Sequence, residues 1–284
     1  MNYHFEISGF ADEIDQNIST QFAHLNKLGI KYFEVRGVNG KNISAIDDFE
    51  LENLKNTMEE YGISVSSIGS PIGKIKISDD LEGHFELFKR VVYIAKYLGS
   101  KYIRIFSFYP PDGEKIENFR NKVIENLKKM TDYAKKENVI LLHENEKDIY
   151  GDIPSRCKDL FDSINSDFFR GVFDPANFIQ CGCKPYPDAW ETLKEYIVYM
   201  HIKDAKIENG NVVPAGYGDG NVEKIIDELK KSGYNGFLSL EPHLGTFTGL
   251  NALESDGKMM YLEKSSPEKF TIAYNALMKI TDKQ

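Results

Sequence analysis

Two rhythms of apolar positions alternate along this chain. Short runs rich in Ile, Val, Tyr and Phe recur at HFEISGF (4–10), KYFEVRG (31–37), SVSSIGS (64–70), YIRIFSF (102–108), VILLHEN (139–145), GVFDPAN (171–177), IVYMHIKD (197–204) and FLSLEPH (237–243), and each reads as a strand. Between them lie stretches with apolar residues three and four apart, among them STQFAHLNKLG, FELENLKNTMEEYG, EGHFELFKRVVYIAKYLG, ENFRNKVIENLKKMTDYAKKEN and NVEKIIDELKKSG. These read as helices with one buried face. Several close on Gly or Asn, residues that accept the left-handed conformation just past a helix.

Strand and helix thus alternate throughout, and helical crossovers return each strand parallel to the last. Eight such units fit the size, about 250 residues, at which a parallel sheet closes into a TIM barrel. The pattern predicts one α/β domain, a (β/α)8 barrel over residues 1–284. An open, doubly wound sheet competes with it, but no GxGxxG follows the first strand, where a dinucleotide fingerprint would stand.

Composition narrows the partners. The formal charge of −9 argues against a nucleic-acid or anionic-membrane surface, since both would be repelled, and leaves a small molecule as the expected partner. Three cysteines, Cys157, Cys181 and Cys183, form no disulfide framework, and the N-terminus carries no secretory pattern, so the expectation is a reduced, cytoplasmic protein. Cys181 and Cys183 lack the second pair that a thiolate metal site needs and read as loop thiols. No apolar run approaches the ~20 residues that span a bilayer.

In a closed parallel barrel the C-terminal ends of all strands meet around one mouth. The polar residues closing the eight runs are Ser8, then Glu34 and Arg36, then Ser66 to Ser70, Arg104, Glu144, Asp174, His201 and Glu241. Taken singly, a carboxylate there is more often a helix cap or an ion-pair partner than a ligand. Four candidate ligands on four successive strands, three carboxylates and one imidazole, point instead to a divalent metal. The set suits Mn²⁺, Mg²⁺ or Co²⁺ better than Zn²⁺.

The segments LLHENE, GVFDPANF, HIKDAK and LSLEPH, in that order, resemble the sugar isomerase/epimerase family of xylose-isomerase-like barrels. That family also holds hydroxypyruvate isomerases, ketose 3-epimerases, inosose and dehydroshikimate dehydratases, and endonuclease IV. The resemblance runs the length of the chain and implies Glu144, Asp174, His201 and Glu241 as metal ligands, the same four that the strand ends single out. Two departures stand out. The 3-epimerases carry a His three residues after the sixth-strand Asp, where this chain has Asn177. Endonuclease IV gathers three metals with further His and Asp residues that are absent here, which removes the nuclease reading.

The chemistry this implies is proton removal beside a ketone, with the metal stabilising an enediolate and Glu144 and Glu241 acting as base and acid. A dehydratase of a cyclic polyol ketone or keto acid is the alternative, and a non-catalytic sugar or metal binder is a third reading. Glu34, Arg36, Arg104, Asn177 and Lys206 are the expected substrate contacts. For Glu34 and Arg36 an internal Glu–Arg pair competes with that role, and Arg104 either binds an anionic group or neutralises the carboxylates. His143 should face away from the mouth, Asp204 is a supporting residue of open role, and His243 is either at the mouth or in its loop. Arg36, Lys74, Lys76, Arg104, Lys203 and Lys206 give the mouth a cationic bias that can recruit a phosphate or carboxylate. The Gly-rich turn GYGDGN (216–221) either holds phosphate or simply needs positive φ. Two long loops, SPIGKIKISDD after the third strand and GTFTGLNALESDGKMMYLEKSS after the eighth, are expected to wall the substrate or to meet a partner subunit in a homo-oligomer.

Overall fold

The computed structural model describes residues 2–247 and 263–282. Its centre is eight parallel strands: β1 (His4–Gly9), β2 (Tyr32–Val35), β3 (Ser64–Gly69), β4 (Tyr102–Ile105), β5 (Ile140–Glu144), β6 (Phe169–Phe173), β7 (Ile197–Ile202) and β8 (Asn235–Leu240). They pair in chain order from β2 to β8, and β8 returns to β1 with Ser8 opposite Ser239. β1 and β2 stand side by side without a hydrogen-bonded ladder, so the barrel is nearly closed.

Helices α1 (Ile18–Lys27), α2 (Asp48–Tyr61), α3 (Leu81–Leu98), α4 (Arg120–Lys136) and α5 (Pro154–Ile164) follow the first five strands in turn. Short helices α6 (Pro175–Gln180) and α7 (Trp190–Leu193) follow β6, then α8 (Val222–Ser232) follows β7 and α9 (Pro267–Thr281) follows β8. Side chains place the boundaries. Asn17 and Asp80 cap α1 and α3, and Asp47 with Glu50 forms a reciprocal capping box on α2. Such a cap contributes about 1 kcal/mol. Gly62, Gly99 and Gly233 end α2, α3 and α8 at φ of 62°, 75° and 73°.

The main core lies between strands and helices, around residues such as Phe22, Phe33, Phe88, Leu127, Ile225 and Phe270. The barrel interior beneath the mouth is more polar. Ser8 Oγ meets Ser66 Oγ at 2.6 Å, and Ser66 meets the Tyr199 hydroxyl at 2.8 Å. These hydroxyls satisfy one another where water is excluded.

Among the strands whose bounds differ from the expected runs, three bear on the mouth. The sixth run begins earlier, at Phe169, and ends at Phe173, because Asp174 caps a helix whose first residue is Pro175. The seventh ends at Ile202 rather than at 204. The fourth stops at Ile105, since the backbone of Phe106 and Phe108 turns to bond Ile72 and Gly73. Those bonds also fix the loop SPIGKIKISDD against the next one. At Gly73, with φ +86°, a Cβ would come within 2.2 Å of the Phe106 carbonyl oxygen, so only glycine allows this approach. The second expected wall, GTFTGLNALESDGKMMYLEKSS, falls largely on residues 248–262, outside the described residues. Among the described residues, no helix is long and apolar enough to cross a membrane.

Candidate metal centre at the barrel mouth

Glu144 closes β5, Asp174 follows β6, His201 lies on β7 and Glu241 follows β8. All four are buried, and each offers one ligand atom within 4.8 Å of the others. His201 Nδ1 stands 3.1 Å from Glu144 Oε1 and 3.5 Å from Glu241 Oε2. Its other nitrogen, Nε2, meets Glu34 Oε2 at 3.2 Å, and Ser239 Oγ donates to the same oxygen at 2.8 Å. Glu34 thereby turns Nδ1 toward the carboxylates, the arrangement by which an outer carboxylate orients a ligating imidazole. A register shift in β2 between Phe33 and Glu34 accompanies this inward placement.

Each remaining ligand is held from behind. Asp174 Oδ1 accepts the Asn177 backbone N–H at 2.9 Å, so Asp174 caps α6 while its other oxygen faces the centre. The Asn145 side chain grips both the N–H and the C=O of Asp174, at 3.0 and 2.9 Å. Glu144 has Arg104 Nε 3.3 Å from Oε2 and accepts from Asn177 Nδ2 at 3.1 Å on Oε1. Glu241 accepts from Arg36 Nη1 at 3.2 Å on Oε1 and from Lys203 Nζ at 3.0 Å on Oε2.

The electrostatics fit a cation. Burial raises the Glu144 carboxyl, but His201 and Arg104 outweigh it and bring it down to about 2. Burial acts likewise on Glu241, which Lys203, His243 and His201 pull well below the usual range. Asp174 goes the other way. Burial raises it, Lys203 offsets only part of the rise, and Glu241 and Glu144 add to it, leaving it at about 7. Asp174 Oδ2 is buried with no well-directed hydrogen bond. Three carboxylate oxygens and one imidazole nitrogen thus converge on one point, the donor set of a hard divalent ion.

The expected substrate contacts divide. Glu34, Arg36, Arg104 and Asn177 all reach the centre. Glu34 and Arg36 share the interior without pairing to each other: Glu34 serves His201, and Arg36 serves Asp12 through Nε and Nη2, each at 2.9 Å, besides Glu13 and Glu241. Lys206 is displaced from the expected position. It stands half-buried where the strand has given way to a small hairpin, Asp204–Ala205 against Val212–Val213, and Lys203 takes the inner place. His143 faces away, as expected, and meets Ser107 Oγ at 3.0 Å. His243 is at the mouth, with Nε2 3.3 Å from Glu241 Oε1.

Carboxylates of the chain itself take up groups that could have met an anion. The amides of Gly216, Gly218 and Gly220 in GYGDGN point at Asp204, whose carboxylate accepts all three at 2.8–3.0 Å. An internal carboxylate occupies the nest that a phosphate would need. Most of the cationic residues are paired as well: Arg36, Arg104 and Lys203 as above, Lys74 with Glu146 at 3.0 Å, and at the surface Lys76 with the exposed Asp112 at 2.6 Å. Sequence reasoning did not single out Asp12, Glu13 or Asn145. Asn145 had a local signal, its place directly after Glu144, but GFADE offers no pattern that foretells a partnership with Arg36.

A family model described as xylose isomerase-like TIM barrel matches residues 22–260. Among curated proteins, none matches the sequence closely enough to count as a relative. Solved structures share the fold at low identity. The IolI protein with a bound zinc atom superposes with a TM-score of 0.75 at 17% identity over 98% of both chains. The probable 3-DHS dehydratase AsbF from Bacillus anthracis gives 0.72 at 16% over 100% of both. A D-allulose 3-epimerase from Methylomonas sp., in complex with D-allulose, gives 0.73 at 15% over 100% of this chain and 99% of that one. The match to the family model spans most of the barrel, from α1 past β8, and the chain belongs to the xylose isomerase-like TIM barrel family.

Proposed function

We propose that this chain is a divalent-metal-dependent isomerase or epimerase of a sugar or sugar derivative. The observation that carries the reading is the pairing of Glu144 and Glu241. They approach the Nδ1 side of His201 from strands separated by two others, and each has its own arginine, Arg104 or Arg36, beside one oxygen. An ion held by Glu144, Asp174, His201 and Glu241 would stabilise the charge that develops on a ketone oxygen when the adjoining carbon loses a proton. The ionised glutamate takes that proton and the other, entering the step protonated, returns one, to the opposite face in an epimerase or to the neighbouring carbon in an isomerase. Asp174 and His201 serve as ligands only. Asn177 Oδ1, buried and without a hydrogen-bond partner, is the candidate contact to a substrate hydroxyl.

Family membership and the epimerase of like fold favour this over a passive binder, which needs no opposed pair of carboxylates. The dehydratase of like fold marks a second outcome, in which the same proton removal is followed by loss of a β-hydroxyl as water. A panel of ketoses, sugar phosphates and cyclic polyol ketones, incubated with the protein and Mn²⁺ in deuterated water, tests the reading. An isomer or epimer carrying deuterium at the attacked carbon is expected. A dehydrated product would reassign the chain as a lyase, and failure of the protein to take up any divalent ion by elemental analysis would sink both.

A further inference from the structure

Lys203 lies two residues past His201, on the same side of the chain, and is buried. Its ammonium meets Asp174 Oδ2 at 2.8 Å and Glu241 Oε2 at 3.0 Å. These are the oxygens left over once the rest of the site has been satisfied. Asp174 Oδ1 is taken by the Asn177 amide, and Glu241 Oε1 by Arg36 with His243 beside it. A divalent ion bound by Asp174 and Glu241 would therefore meet Lys203 at the two oxygens with the fewest other partners. Ions of this kind sit about 2.0–2.6 Å from their oxygens, so the ion and the ammonium would share both carboxylates at short range and repel each other.

We propose that Lys203 is an internal cation that competes with the divalent ion for Asp174 and Glu241. The statement rests on the four-ligand reading above. In this arrangement the lysine neutralises the buried carboxylates when no ion is bound, which protects the ion-free fold, and it lowers the affinity of the site so that the metal exchanges. An ordinary structural ion pair predicts the reverse, because removing a group that holds two ligands in place weakens metal binding.

Calorimetric titration of Mn²⁺ into metal-stripped wild type, Lys203→Met and Lys203→Gln decides between them. Lys203→Met should bind Mn²⁺ tighter by about tenfold or more, the scale on which groups behind metal ligands act. Its ion-free Tm should fall below that of wild type, and excess Mn²⁺ should recover the difference. Lys203→Gln returns a neutral donor and should bind with intermediate affinity; if Lys203→Met does not fold, this variant carries the comparison. Equal or weaker binding by a folded variant, beside measurable binding by wild type, overturns the inference alone. Absence of binding in wild type and both variants overturns the metal site itself and the inference with it.

Discussion

The two halves of the barrel contribute differently to the mouth. Strands β5 to β8 deliver the four groups that can hold an ion, and with them the supports of Asp174, namely Asn145, Asn177 and Lys203, whereas β1 to β4 and their loops brace the other three from across the barrel. Glu34 turns His201, Arg104 braces Glu144, and Arg36 braces Glu241 while tied to Asp12 and Glu13. The ligand half is defined by residue type, since an ion demands oxygens and an imidazole. The supporting half is defined by pairing, because a buried arginine or glutamate is tolerable only when its partners arrive with it.

The comparison can be broken most forcefully in the ligand half. Glu144→Gln and Glu241→Gln should each lower turnover by about 10²–10⁴-fold on whatever substrate the panel identifies, with circular dichroism unchanged and part of the Mn²⁺ binding retained. A variant keeping a tenth or more of wild-type turnover would remove that glutamate from proton transfer.

A change in the supporting half should act one step removed. Glu34→Gln touches no carboxylate of the four, yet metal affinity should fall by about 10–100-fold, because the amide can present its NH₂ rather than an oxygen to His201 Nε2. Unaltered affinity by calorimetry would show that His201 is oriented by its packing against Phe10 and Tyr199 instead.

The smallest effect concerns pH and the wall after β3. His84 Nε2 accepts the Gly73 N–H at 2.8 Å, which requires a neutral ring. Burial lowers its pKa, against a weaker opposing pull from Asp79. The unfolded chain therefore binds this proton more readily than the folded one, and the stability from His84 is present above the unfolded value of about 6.5 and declines as pH falls below it. Thermal melts of wild type and His84→Gln should differ by about 1 kcal/mol at pH 7.5 and converge toward pH 5.5. An equal gap at both pH values would mean that the bond to Gly73 does not titrate.

The barrel was legible because eight apolar runs alternating with helical spacing admit few other closures. Glu144, Asp174, His201 and Glu241 were legible because each ends a run, and a strand's end is a position that spacing can locate. Their convergence follows from topology. What spacing could not supply was register beyond the strands. HIKDAK contains two lysines, and only the continuation of the inward phase past His201 selects Lys203 over Lys206. Asp204 reads as a supporting residue, but its partners are three amides 12 to 16 residues away, in a turn whose glycines suggest phosphate equally well. The supports of Arg36 lie 23 and 24 residues back and 205 residues ahead, and no local pattern joins them.

Arg36 has one more set of neighbours. Its guanidinium lies between the rings of Phe10 and Phe247, 4.3 Å from the centre of each. The chain leaving Glu241 thus passes a fixed rivet six residues later, fastened to the loop that follows β1 through Phe10 and Asp12. A displacement of the chain at Phe247 is thus met by Arg36, Phe10 and Asp12 before it reaches Glu241, six residues earlier.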